Sequence, residues 1–199
     1  MPLTATQQGI IGQTEAAKYT VIGSGGMVEV AWPWTDDDHR DIEAHLRRGF
    51  YIPIALQVKT TWRFWVHRQS EVIQILFSLP PSRVIDDPRF WYFFGYMDPK
   101  LATFRDPVFL VPSKDVHERA QPRLVDGRWK FTFEASLKPN AKDKWSPYRV
   151  EKVELGKKVL SIIRNAPDVR HTDLLALRRQ LSLTDLLLLG KPVSQLKAA

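Results

Sequence analysis

The chain reads as a mixed α/β protein, a sheet flanked by helices with a helical C-terminal extension. Three observations predict it. Residues 41–59 alternate polar and apolar with period two, as paired strands do. Residues 90–96 (Phe-Trp-Tyr-Phe-Phe-Gly-Tyr) are too aromatic for anything but a buried strand. From Tyr148 onward the apolar spacing changes to three and four, the period of a helix. At 199 residues the chain suffices for one well-buried core. We expect that core over 1–147, with a helical region over 148–199 packed on it or beside it.

The elements follow in order. Residues 9–22 form a short helix with Ile11, Tyr19 and Ile22 as its apolar stripe. Gly23-Ser24-Gly25-Gly26 ends it. A phosphate-cradling glycine loop follows a strand and opens a helix, whereas here the order is reversed, so these glycines read as a helix stop. Residues 27–32 form a strand. In the hairpin, Ile42, Ala44 and Leu46 share one face of its first strand, and Phe50, Ile52, Ile54, Leu56 and Val58 one face of its second. Arg47-Arg48-Gly49 is the expected three-residue link, with Gly49 taking positive φ. Residues 60–68 continue as strand. Residues 70–79 suit a helix or a buried strand equally well, and Pro80-Pro81 ends either. Residues 107–111 form another strand and 113–118 a helical turn. Trp129, Phe131 and Phe133 alternate behind the turn signal Asp126-Gly127, which makes 124–135 a hairpin. After a polar linker at 140–147, Val150, Val153, Leu155, Val159, Leu160 and Ile163 mark one amphipathic helix, and 168–181 and 183–196 give shorter helical pieces.

Composition narrows the function. With 44% hydrophobic and 26% charged residues the chain is globular. It has no cysteine, which excludes disulfides and thiolate metal sites. The N-terminus lacks the basic start and apolar stretch of a signal peptide, and the late apolar run 186–189 is too short to cross a bilayer, so a cytoplasmic protein with no membrane partner is expected. The net charge is +7. Nine basic residues and four acids between Lys138 and Arg170 give that stretch a net +5, a field that favours a polyanion unless it is simply a solvated helix face.

The hairpin carries the candidate chemistry. Asp41, Gln57 and Lys59 lie on its polar side, where a carboxylate, an amide oxygen and an ammonium would converge. Oxygen donors suit a hard divalent cation, and an ammonium beside them suits charge developing on a phosphate. Asp38 is a rival to Asp41, because a tight hairpin register places residues near 38–39 opposite Gln57. The plain alternatives are strand carboxylates facing solvent, for Asp41 and for Glu43, and a Lys59 that snorkels to the surface. His39 and His45 have no second pair at zinc-ligand spacing. Trp62, Arg63 and Trp65 interleave rings with a cation and could contact nucleic acid, as could Lys142, Lys144, Lys157 and Lys158.

Asp41, fifteen residues, then Gln57-Val58-Lys59 resembles the signature of the PD-(D/E)XK nuclease superfamily, which includes restriction endonucleases and archaeal Holliday-junction resolvases. Gly12-Gln13-Thr14-Glu15-Ala16-Ala17 is similar to the helical part of that pattern. The resemblance implies a restriction-endonuclease-like fold and Mg²⁺- or Mn²⁺-dependent hydrolysis of DNA phosphodiesters. It makes Asp41 the central metal ligand, Gln57 a second ligand or water-positioner, Lys59 the catalytic lysine and Glu15 an additional acid near the metal, with the main-chain carbonyl of Val58 facing the ion. Enzymes of this kind that cut both strands often act as homodimers, and the late apolar helices offer an interface. Two departures stand out: Arg40 replaces the proline, and the second acid is the neutral Gln57. The missing charge supports an alternative, a nuclease fold that binds nucleic acid or a protein partner with weak or no cutting. A third reading is an interaction module built on the C-terminal helices.

Overall fold

The computed structural model describes residues 3–33, 40–49, 54–67 and 70–166. Two sheets and three helices make up this part of the chain. The larger sheet has six strands: β1 (Val28–Ala31), β2 (Ile42–Leu46), β3 (Ile54–Thr61), β6 (Phe90–Asp98), β7 (Thr103–Pro112) and β10 (Arg149–Val150). They run in the order β1-β2-β3-β6-β7-β10. It is mixed, because β3 and β6 pair in parallel while its other neighbours are antiparallel. The smaller sheet is antiparallel, in the order β4 (Trp65–His67), β5 (Ser70–Leu79), β9 (Arg128–Ser136) and β8 (Arg123–Val125). No helix among the described residues is long and apolar enough to cross a membrane.

The larger sheet is covered on both faces. Ile42, Ala44, Ile54, Leu56, Val58, Phe93 and Met97 pack with α1 (Ala5–Gly23) and α3 (Leu155–Asn165). Tyr92, Phe94 and Tyr96 pack the other way, against Ile73, Ile75, Phe131, Phe133 and Trp145. That is why β6 is apolar at nearly every position rather than at alternate ones: neither of its faces meets water. Each such side chain contributes about 1.5–3 kcal/mol by leaving solvent.

Helix α1 begins earlier than its apolar spacing suggests, because Thr4 and Gln7 form a reciprocal capping box. Its buried face is Gly12, Ala16, Ala17 and Thr20 rather than a stripe ending at Ile22, which is 67% exposed. Small residues are needed there because the backbones come close. A Cβ on Gly12 would lie 2.7 Å from the Thr60 side chain, and one on Gly156 of α3 would lie 2.2 Å from the Ser24 nitrogen. Gly25 and Gly26 then reverse the chain at positive φ.

One open alternative is resolved, and three expectations need correction. Residues 70–79 are strand: β5 pairs with β9 from Val72↔Ser136 to Leu79↔Trp129, with Ile73, Ile75 and Leu79 turned into the core. Residues 60–68 do not continue one strand, since the chain leaves the large sheet after Thr61 and enters the small one at Trp65. The β2–β3 register, with Ala44 opposite Ile54, is two residues off that of a link over 47–49, and Arg48 rather than Gly49 takes positive φ (62°). The helix expected from Tyr148 begins at Leu155, because Val150 pairs with Val108 in β10 and Lys152–Glu154 make a 3-10 turn. The helices expected over 168–181 and 183–196 lie outside the described residues.

Candidate active site

The β2–β3 register builds the site. Ile42 pairs with Leu56, and the Asp41 N–H donates to the Leu56 carbonyl at 3.0 Å. The β2 ladder stops there, leaving the Val58 N–H without a main-chain partner on that side. The Asp41 carboxylate takes its place: Oδ2 accepts from Val58 N at 2.7 Å and from Gln57 Nε2 at 2.6 Å. Gln57 is 2% exposed, and its Oε1 is buried with no hydrogen-bond partner. Lys59 lies two residues further along the same face of β3. Its half-buried ammonium stands 5.9 Å from the centre of the Phe77 ring, a cation–π distance. Asp41, Gln57 and Val58 are therefore bonded together, and Lys59 lies on the same face of β3 as Gln57. Asp38 and His39 lie outside the described residues.

Glu15 is placed elsewhere. Its carboxylate is buried and accepts from Lys18 Nζ at 2.6 Å and Thr103 Oγ1 at 2.5 Å. Thr103 pairs with Asp98, six residues along β6 from Tyr92, the neighbour of Gln57; at strand rise that is roughly 20 Å. Helix α1 packs on the Val58 and Thr60 side of β3, while Gln57 and Lys59 point to the other side. Glu43 is engaged by Arg40 at 2.5 Å and His45 lies 3.4 Å from Glu29. Among the described residues no group of three or more His, Asp or Glu is arranged to hold a metal ion. Asp41 Oδ2 is met by two nitrogens, Gln57 Nε2 and Val58 N, and the groups there that could ligate a cation are oxygens: the Asp41 carboxylate, the unpartnered Gln57 Oε1 and the adjoining main-chain carbonyls. In kind, though not in number, they fit a hard cation such as Mg²⁺ or Mn²⁺, which keeps several waters of its own.

Three residues that the sequence reading passed over stand behind this group. Tyr92 is the β6 neighbour of Gln57, is fully buried, and its hydroxyl lies 3.0 Å from His117 Nε2. His117, on α2 (Ser113–Arg119), meets Asp86 Oδ1 through Nδ1 at 2.6 Å. Burial, then the charges of Asp86 and Asp41, push the Tyr92 hydroxyl pKa well above its ordinary value, so it keeps its proton. Only the alternation that puts Tyr92 on the Gln57 side of the sheet is visible in sequence; the contacts with Asp86 and His117 are tertiary.

The expected nucleic-acid contacts do not form one surface. Trp62 packs against the α1–α3 core with its Nε1 buried and unpartnered, while Arg63 and Trp65 are exposed. Lys142 and Lys144 are exposed in the loop after β9, and Lys144 lies 5.2 Å from the Trp145 ring. Lys157 and Lys158 are exposed on α3, with Lys157 bound to Glu154 at 2.8 Å. Part of the basic stretch serves the fold: Arg149 donates to the carbonyls of Ser136, Lys138 and Pro139 and pairs with Asp143 at 2.9 Å.

No family model matches the chain, and no curated protein matches it. Among solved structures it is similar to the bacterial homing endonuclease I-Ssp6803I, with a TM-score of 0.47 and 16% identity, over 81% of this chain and 95% of that one. A likeness at that level assigns neither a site nor an activity.

Proposed function

We propose that the chain is a metal-dependent nuclease acting on DNA, with its site at the end of the β2–β3 ladder. One observation carries the reading: Asp41 is bonded to Gln57 and Val58, with Lys59 on the same face of β3. Asp41, the Gln57 Oε1 and the Val58 carbonyl would hold the cation, and Glu15 would not. When bound, such an ion acidifies a water and neutralises charge on the phosphate. Asp41 supplies the one anionic ligand and, being tied to the β3 main chain, supplies it in a fixed place. To ligate, Gln57 would turn its amide from the orientation in which Nε2 donates to Asp41 Oδ2. Lys59 stabilises the negative charge gathering on the phosphate oxygens, an effect on the order of 3 kcal/mol for one well-placed donor. The aromatic packing around Phe77 limits the water that competes for its ammonium.

A second reading, a nuclease fold that binds nucleic acid with little or no cutting, draws on one feature: Asp41 is the sole carboxylate among these four residues, because Gln57 is neutral. A Mn²⁺ cleavage assay on plasmid and linear DNA separates the two. Cleavage by the native chain, lost by 100-fold or more (about 3 kcal/mol) in both Asp41→Ala and Lys59→Ala, supports the nuclease. Salt-sensitive DNA binding without cleavage supports the binder, and neither cleavage nor binding removes both.

A further inference from the structure

We propose that the outer face of the smaller sheet holds the backbone of duplex DNA, through Arg123, Arg128 and Lys130. The choice of DNA rests on reading the chain as acting on DNA; the surface rests on strand pairing and charge. The inner face of this sheet is closed, with Ile73, Ile75, Phe131 and Phe133 in the core. Alternation then sends Leu76 and Ser78 of β5, Lys130 and Thr132 of β9 and Arg123 of β8 to the other side. Leu76 is 69% exposed there, and the three strands floor an open groove of about 640 Å³.

The charges on this face are not balanced. Arg123 and Lys130 stand directly opposite each other across β8 and β9, an arrangement unfavourable to a sheet by itself. Arg128, on the same face of β9, donates to the Ser78 hydroxyl at 3.3 Å and to its carbonyl at 3.2 Å, which holds the guanidinium against β5. Among the described residues no carboxylate forms an ion pair with any of the three. Asp126 belongs to the turn that joins the two strands. The carboxylate lining the groove, Glu134, bonds Gln74 at 3.2 Å and lies four residues along β9 from Lys130, roughly 13 Å at strand rise. Three cations on one hairpin, beside the Thr132 hydroxyl, offer a phosphate backbone charge and a hydrogen-bond donor. A second copy of the face carries the same excess of positive charge, so it is not the occupant this face selects. β5 separates the groove from the Asp41 group: Phe77 faces Lys59, while its neighbours Leu76 and Ser78 face outwards. The surface therefore anchors DNA away from the phosphate at Asp41.

Fluorescence anisotropy of a labelled duplex, titrated with the full chain in EDTA over a range of salt concentrations, tests this without cleavage. The variants are Arg123→Ala/Lys130→Ala on this face and Lys100→Ala/Lys114→Ala elsewhere, all at exposed side chains and with equal loss of charge. Loss of two phosphate contacts should flatten the slope of log K against log salt by about 1.8 and weaken binding about 10-fold or more at about 0.1 M salt. The Lys100→Ala/Lys114→Ala pair should keep the native slope. An unchanged slope in Arg123→Ala/Lys130→Ala, an equal change in the other pair, or no binding by the native chain overturns the proposal. So does a native dimer, seen by sedimentation, that Arg123→Ala/Lys130→Ala dissociates with DNA affinity unchanged, because the face is then an interface between copies. Cleavage keeps the two readings apart. Binding that depends on Arg123 and Lys130 in a chain that never cuts removes the nuclease and leaves this surface. Cutting, with a native slope in Arg123→Ala/Lys130→Ala, removes this surface and leaves the nuclease.

Discussion

Replacing Gln57 by glutamate tests the geometry of the site most directly. The change is isosteric and puts a second carboxyl where an amide nitrogen now lies 2.6 Å from Asp41 Oδ2, at a residue only 2% exposed. Two carboxylates there cannot both ionise at low cost. At a separation of about 4 Å and an effective dielectric of about 20, their repulsion is roughly 4 kcal/mol. That equals about three pKa units, which moves one member of the pair from about 4.3 to about 7. Over that window the folded variant holds a proton that the unfolded chain has released. Stability therefore falls as pH rises, by about 1.4 kcal/mol per unit relative to the native chain. Urea unfolding followed by tryptophan fluorescence should find the variant close to native at pH 4.5 and about 4 kcal/mol weaker by pH 8. At pH 8, Mn²⁺ at 100 times its dissociation constant should restore about 2.7 kcal/mol. Parallel pH curves for the two proteins would refute the placement of residue 57 against Asp41. A pH-dependent loss that Mn²⁺ leaves untouched would refute the cation.

The other predictions concern the supporting frame. Asp41→Ala leaves the Gln57 amide and the Val58 N–H without their acceptor, so urea unfolding should show a loss of about 2–4 kcal/mol, with a smaller loss in Asp41→Asn. Gly156→Ala forces a methyl to within 2.3 Å of the Thr20 carbonyl, and should cost about 3 kcal/mol or more in a thermal melt. Gly9→Ala meets nothing within 4 Å and should gain about 0.5–1 kcal/mol in the same melt. Burial acts to raise the Asp87 carboxyl, but the Arg89 hydrogen bonds outweigh it and hold the group below its ordinary value. Its contribution is present above about pH 4 and disappears as pH falls through the lower folded value. Asp87→Asn should therefore shallow the acid limb of the unfolding curve.

Patterns that a strand or helix imposes on itself were legible in the sequence, and those set by a distant partner were not. The aromatic run of β6, the Asp126-Gly127 turn and the helix ending at Gly23 follow from local chemistry. Residues 70–79 could not be decided alone, because β5 is a strand by virtue of its pairing with β9, some sixty residues later. The buried face of α1 escaped notice for a related reason. Periodicity looks for large apolar residues, whereas this helix lies so close to Thr60 and α3 that glycine, alanine and threonine are what fit.

The same distinction governs the site. Period two is a local property, so the common face of Gln57 and Lys59 could be read directly. The partnership with Asp41 was legible from the shared polar side of the hairpin but had a rival in Asp38, because a tight link would bring residues near 38–39 to Gln57; the register, set by the Ile42↔Leu56 pairing, brings Asp41 there. Glu15 was lost to the same alternation. Once Leu56 and Val58 face α1, the positions between them must face β5, and a buried residue on the helix has a whole sheet between it and Gln57. That arrangement also explains why the polar neighbours of Gln57 come from the other side. Tyr92, beside Gln57 in the sheet, is bonded to His117 of α2 and through it to Asp86 of the loop before β6, in a layer otherwise made of aromatic rings. Burying a tyrosine hydroxyl and an imidazole in such a layer is costly unless each finds a partner. Here each finds one: the Tyr92 hydroxyl meets His117 Nε2, and His117 Nδ1 meets the half-exposed Asp86 carboxylate.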